Sequence, residues 1–289
     1  MRPQHPEARA LQEGVVLAAT HRDEEGRWMP VVERRLPLLA ERYAHLVVLC
    51  AQDTVPSAVR KLQDAGVQVA VDGGPPGAGR MGHVRRQALR MALEAGAEHI
   101  HFCDLDRALH WAAWYPAELD QVLREVREYD FLVLGRTPEA FASHPPDQTL
   151  TESLANTVFN LATGLGWDIA AASRGLSARA ARYLLDHSQE ATFGTDAEWP
   201  MLLRHAGTFR IGYRECDGLG FETADAYPDE VAAAGGRDAW RLQRSRDPAA
   251  WVRRLELATD IARAAVETRQ RLEGAPWRAK PVEEQGKCP

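Results

Sequence analysis

At 289 residues the chain can build one large α/β core with an appendage, and two independent domains are disfavoured. Its 45% hydrophobic and 26% charged residues describe a globular protein, and a formal net charge of −6 argues against a broad surface for nucleic-acid phosphates. No apolar run approaches the roughly 20 residues that span a bilayer, the first residues lack the apolar core of a signal peptide, and Cys50, Cys103, Cys216 and Cys288 form no CxxC pair. A cytoplasmic protein with reduced thiols and no transmembrane segment is expected.

From Gly14 onward, short apolar runs alternate with segments of helical periodicity, the pattern of βαβ units. The expected fold is α/β, a mostly parallel central sheet with helices on both faces. VVLAAT (15–20) reads as the first strand, 29–44 as a helix carrying an awkward Pro37, and HLVVLC (45–50) as the second strand, with Asp53 just past its carboxyl end. A helix around 56–65, a strand over 67–71, the loop DGGPPGAGRMG (72–82), a helix over 83–95 and the strand HIHFC (99–103) follow. PAELDQVLREVREY (116–129) is helical, with Pro116 suited to a first turn, and DFLVLG (130–135) returns as a strand.

Beyond a turn-rich loop at 137–149, helices at 150–163 and 177–187 flank a short strand, IAAAS (169–173). FGTDAEWPMLLRHAG (193–207) reads as a capped helix, TFRIGYREC (208–216) as a strand, and 217–230 as an irregular loop. The expected organisation is one domain over 1–246, with a nucleotide-binding half at 14–136 and an acceptor-side half at 137–246. A helix over 247–273 then packs back on it, and a polar tail over 274–289 is expected to be disordered.

The sharpest chemical signal is HFCDLDRALHW (101–111), in which Asp104 and Asp106 end a strand. Ligands of open α/β sheets gather at the carboxyl ends of strands. Two carboxylates one residue apart offer hard oxygens to Mg²⁺ or Mn²⁺ while a diphosphate fills other positions of the metal. The plain alternative is a turn capped by Asp104 and a surface ion pair between Asp106 and Arg107. GAGRMG (77–82) also matches GxGxxG before a helix, as in dinucleotide-binding folds, but DGGPP separates these glycines from their strand.

The stretch GGPPGAGRMGHVRRQALRMALEAGAEHIHFCDLDR (73–107) resembles the corresponding part of GT-A-type glycosyltransferases, the nucleotide-diphospho-sugar transferases. The order of elements over 14–215 is similar too. The resemblance implies a GT-A-like fold and a metal-dependent transfer of a sugar from a nucleotide diphosphate donor to a hydroxyl acceptor. It implies that Asp106 contacts a divalent cation, Mn²⁺ or Mg²⁺, and Asp104 the metal or the donor ribose. Thr20, Arg22 and Asp53 then lie where the base is held, and Arg80 where a cation bridges donor phosphates.

TDAEW (195–199) is similar to the motif that carries the acceptor base in inverting enzymes of this kind, with Asp196 in the base position and Thr195 replacing the usual Glu. A capping box, Thr195-x-x-Glu198, explains the same residues without catalysis, and another is suggested by Thr149-x-x-Glu152. Trp111, Trp114 and Tyr115 offer aromatic faces for a sugar, Ser153, Asn156 and Asn160 offer polar groups, and His101 reads as a core histidine. Two other functions share these features, a nucleotide-sugar binding protein without transferase activity and a nucleotidyltransferase. The oligomeric state is open.

Overall fold

A computed structural model describes residues 14–273, so the expected tail at 274–289 and Cys288 lie outside the described residues. The strands are β1 (Val15–His21), β2 (His45–Cys50), β3 (Gln68–Val71), β4 (His99–Asp104), β5 (Phe131–Arg136), β6 (Ser173–Ser177) and β7 (Ile211–Cys216). They form one sheet in the order β3-β2-β1-β4-β6-β5-β7. All neighbours are parallel except those of β6, which runs antiparallel to β4 and β5.

The α-helices are α1 (Met29–Ala40), α2 (Pro56–Asp64), α3 (Met81–Glu94), α4 (Leu105–Trp114), α5 (Pro116–Val126), α6 (Pro138–Ala142), α7 (Pro146–Thr163), α8 (Ala178–His187), α9 (Thr195–Ala206), α10 (Pro228–Ala233), α11 (Arg237–Arg244) and α12 (Pro248–Leu272). The period of two along β1 divides them between two cores. Val15, Leu17 and Ala19 point into one with Leu36 and Leu39 of α1, Leu109 of α4 and Leu119 of α5. Val16 and Ala18 point into the other with Leu89 of α3, Phe159 of α7, Trp199 of α9 and Ile261 of α12. Helices therefore cover both faces, as the alternating pattern implies, and α12 packs against α7 and α9.

Several elements differ from those expected. The segment after Asp104 is not an open turn but the ten-residue helix α4, and the irregular stretch expected over 217–230 ends in α10, which begins at Pro228. The strand expected at 169–173 lies instead at Ser173–Ser177, after Ala172 takes a left-handed backbone (φ 54°) that interrupts extension. SRGLS carries no apolar alternation because its Ser173 and Arg174 are buried for polar partners, and Gly175 lies where a Cβ would collide with Val126. Neither proposed capping box forms. Gly194 is the N-cap of α9, and α7 begins at Pro146, ahead of Thr149. Among the described residues, no helix is long and apolar enough to cross a membrane, and the three cysteines are free and buried.

Candidate functional site

β1 and β4 lie side by side with Thr20 in register with Asp104, and the Thr20 hydroxyl donates to Asp104 Oδ1. Asp104 keeps an extended backbone (φ −65°, ψ 142°), and the chain turns at once into α4. Asp106 thus occupies the first helical turn, where backbone N–H groups lack intrahelical acceptors and favour negative charge, and its Oδ1 accepts the Arg107 N–H at 2.7 Å.

The alternative, a surface pair between Asp106 and Arg107, is not what forms. Arg107 is buried, donates to the Ala171 carbonyl and has Nη2 3.7 Å from Glu222 Oε1. Glu222 comes from the loop after β7, and its Oε2 is buried with no hydrogen-bond partner. Burial, then the charges of Glu222 and Asp104, push the Asp106 carboxyl well above the ordinary carboxylate range, against a smaller pull from Arg107. Burial opposes the charge on Arg107, yet Glu222, Asp104 and Asp106 among its neighbours leave its pKa raised.

Three carboxylates facing one guanidinium, with one carboxylate oxygen left unsatisfied, suit a hard divalent cation. Among the described residues, no group of three or more His, Cys, Asp or Glu side chains converges as a ready-made metal cage. Asp104 and Asp106 therefore fit a metal that draws its remaining ligands from a bound diphosphate and water, with Glu222 beside them. No local pattern marks Glu222, which lies 116 positions beyond Asp106 in the sequence.

The other expected donor contacts form separate pairs. Arg22 grips Asp53 through Nε (3.0 Å) and Nη2 (2.6 Å) at the exposed ends of β1 and β2, and that bond lowers the Asp53 pKa. Arg80 forks onto Asp72, just past β3, with nitrogens 2.9 and 3.2 Å from its two oxygens. Its guanidinium occupies the spot that a Cβ on Gly74 would fill. Gly82 is needed for another close approach, since its N–H donates to the Ala191 carbonyl at 2.8 Å and a side chain there would strike the backbone of Glu190. Two of the loop's glycines are thus accounted for by packing.

Asp196 is buried, and its Oδ1 accepts from Arg85 at 2.7 Å and from Arg174 at 2.6 Å. Thr195 also accepts from Arg85, at 2.7 Å. This ties α9 to α3 and β6, a geometry that suits an anchor better than a base awaiting an acceptor hydroxyl. Glu198 likewise accepts from Ser188 Oγ at 2.6 Å and pairs with Arg271 at 2.8 Å.

His101 sits in the core between Tyr43 (2.6 Å) and Ser173 (3.1 Å), and burial pulls its pKa down to about 3. Trp111 is buried, with Nε1 donating to Glu118, whereas Trp114 and Tyr115 are 58% and 40% exposed. Asn156 and Asn160 brace the loop before β6, accepting from the backbone of Ile169 and Trp167, and Ser153 bonds back to the Thr149 carbonyl.

Asp168 in that loop holds the buried Arg136 with two bonds of 2.7 and 2.9 Å. Burial alone raises its pKa, but Arg136 outweighs it and brings the group down to about 2. A depressed folded pKa gives stability that is full above the unfolded value near 4 and lost as pH falls toward 2. Asp168→Asn is therefore expected to cost about 2 kcal/mol at neutral pH. In acid titrations followed by circular dichroism, the difference from the parent should shrink between about pH 4 and 2. A difference independent of pH would contradict this role.

No protein-family model and no curated protein sequence matches the chain. Among solved structures, glucosyl-3-phosphoglycerate synthase from Mycobacterium tuberculosis in complex with uridine diphosphate aligns over 96% of this chain and 87% of its own, with 13% identity and a TM-score of 0.50. The same enzyme with Mg²⁺ and uridine diphosphate aligns over 95% and 86%, with 15% identity and a TM-score of 0.48. At such identity the likeness speaks for architecture, and together with the strand order and the one reversed strand it shows that this chain has the GT-A-type fold of nucleotide-diphospho-sugar transferases.

Proposed function

We propose that the chain is a metal-dependent glycosyltransferase, moving a sugar from a nucleoside diphosphate donor to a hydroxyl acceptor. The observation that carries this reading is the placement of Asp104 and Asp106 where β4 meets α4, with Thr20 of β1 bonded to Asp104 and Glu222, one of whose oxygens has no partner, close enough to act on Asp106. Asp104, held by Thr20, and Asp106 would hold the divalent cation, which supplies neutralisation of the leaving diphosphate when bound. Arg80, forked onto Asp72 past the edge strand β3, is assigned as the loop cation for phosphate oxygens, and to reach them it exchanges that fork for one on phosphate. The Arg22–Asp53 pair past the ends of β1 and β2 is assigned to the nucleotide base.

A binding protein without transfer is the second reading, and it is favoured by one observation. Asp196, the residue in the expected base position, is engaged by two guanidinium groups. The neighbouring fold was solved with uridine diphosphate, which makes that nucleotide the first probe. Thermal shift with uridine diphosphate and other nucleoside diphosphates, with and without Mn²⁺ or Mg²⁺, should show a rise that needs both partners, about 3 kcal/mol of stabilisation at a hundredfold excess over Kd. Absence of any metal-dependent shift would sink both readings. A shift without hydrolysis of any nucleotide sugar would favour the binding protein.

A further inference from the structure

A cavity of about 490 Å³ opens at the far end of α4 from the paired aspartates. Its floor is made by His110, Trp114 and Tyr115, and its walls by Ser143, Phe221, Arg237 and Arg241. Asp106, His110 and Trp114 are spaced i, i+4, i+8, so they share one face of α4, and the cavity lies roughly 12 Å along the helix axis from Asp106. The loop after β7 belongs to both places, with Glu222 beside Asp106 and Phe221 lining the cavity.

The floor is built before any ligand arrives. Arg35 lies over the Trp114 ring, 5.5 Å from its centroid, and fixes one face of the indole. Arg35, Arg237 and His110 (Nδ1 at 2.8 Å) all converge on the buried carboxylate of Asp225, so floor and wall are pinned to one group. Ser143 accepts the Phe221 N–H at 2.9 Å, and Arg241 is tied to Asp238 at 2.9 Å and to the His144 carbonyl at 3.0 Å.

The charges of the lining decide the kind of ligand. The lining's two arginines, Arg237 and Arg241, are bonded to Asp225 and Asp238, and Glu139 and Asp217 add two more acids, so an anion finds no net positive potential there. What remains is an exposed aromatic floor ringed by fixed donors and acceptors. That surface suits a neutral molecule with an apolar C–H face and a rim of hydroxyls.

From this geometry we infer that the cavity floored by Trp114 and Tyr115 binds a neutral carbohydrate, as a subsite for a part of the acceptor remote from the hydroxyl that reacts. The inference rests on the proposed transferase reading for its purpose, but its binding claim is measured separately. Remote contacts of this kind supply binding energy that positions the reacting group.

The test uses the full chain with Mn²⁺ and uridine diphosphate present, titrated with maltotriose, cellotriose and mannotriose by saturation-transfer NMR and calorimetry. At least one trisaccharide is expected to bind with Kd on the order of 1 mM. Trp114→Ala and Tyr115→Ala should each weaken it about tenfold or more, with Trp114→Phe retaining most of the affinity. The thermal shift by Mn²⁺ and uridine diphosphate should be the same in all three variants, which also establishes that they are folded. Binding of none of the trisaccharides, binding indifferent to both alanine variants, or displacement by inorganic phosphate would overturn the inference while leaving the donor-site reading standing. Loss of the nucleotide shift in the parent protein would instead sink the donor-site reading.

Discussion

Asp106→Asn is expected to separate stability from function in opposite directions. Removing one of the two paired carboxylates should weaken metal-dependent binding of uridine diphosphate about a hundredfold, equivalent to roughly 3 kcal/mol, with at least as large a loss in turnover. The protein without metal should become more stable, because Asp106 is held against Glu222 and Asp104 in a buried setting that raises its pKa. The sign follows from that rise. A carboxyl whose folded pKa lies above its unfolded value contributes stability below the unfolded value, and loses it as pH rises through the folded one. The amide cannot ionise, so the stabilising effect of the substitution should grow with pH. Thermal melts from pH 5 to 9 with and without Mn²⁺ check both halves. A variant that loses stability without metal, or keeps its metal response, would contradict the role given to Asp106.

Asp196→Ala is expected to have the largest effect on stability. It leaves Arg85 and Arg174 buried without the carboxylate they share, and breaking a buried pair by removing one partner costs about 3–5 kcal/mol. For a domain of this size, that corresponds to a fall in melting temperature on the order of 10 °C. Asp196→Asn keeps the shape and one acceptor oxygen, so its loss should be smaller. If Asp196 were instead the base for the acceptor, Asp196→Asn would melt like the parent and lose only turnover. Urea denaturation of both variants, set beside nucleotide-sugar turnover, distinguishes an anchor from a base.

Asp106 and Asp196 differ in how far along the chain their hydrogen-bond partners lie. Asp104 and Asp106 were legible because their position follows from local features, an apolar run that must be a strand and an abrupt change to polar residues at its carboxyl end. Asp196 also lies at the start of a helix, where an acid is plausible on local grounds. Its partners, however, come from α3 and β6, and their arrival decides what its carboxylate does. The same holds for Glu198 and Glu152. Spacing suggested helix caps, but the tertiary neighbours Arg271, Ser188 and Arg136 claim their oxygens.

By itself, the sequence determined the α/β class, most strands and long helices, and the acidic pair at a strand end. These depend on periodicity and turn chemistry over a few residues, and burial of one face is enough to enforce them. Only the tertiary structure decided that β6 reverses direction, that Glu222 returns to face Asp106, and that Asp225 gathers Arg35, His110 and Arg237 beneath an aromatic floor. Those arrangements join residues separated by up to 190 positions, and charges pair according to distance in space, which no local pattern along the chain encodes.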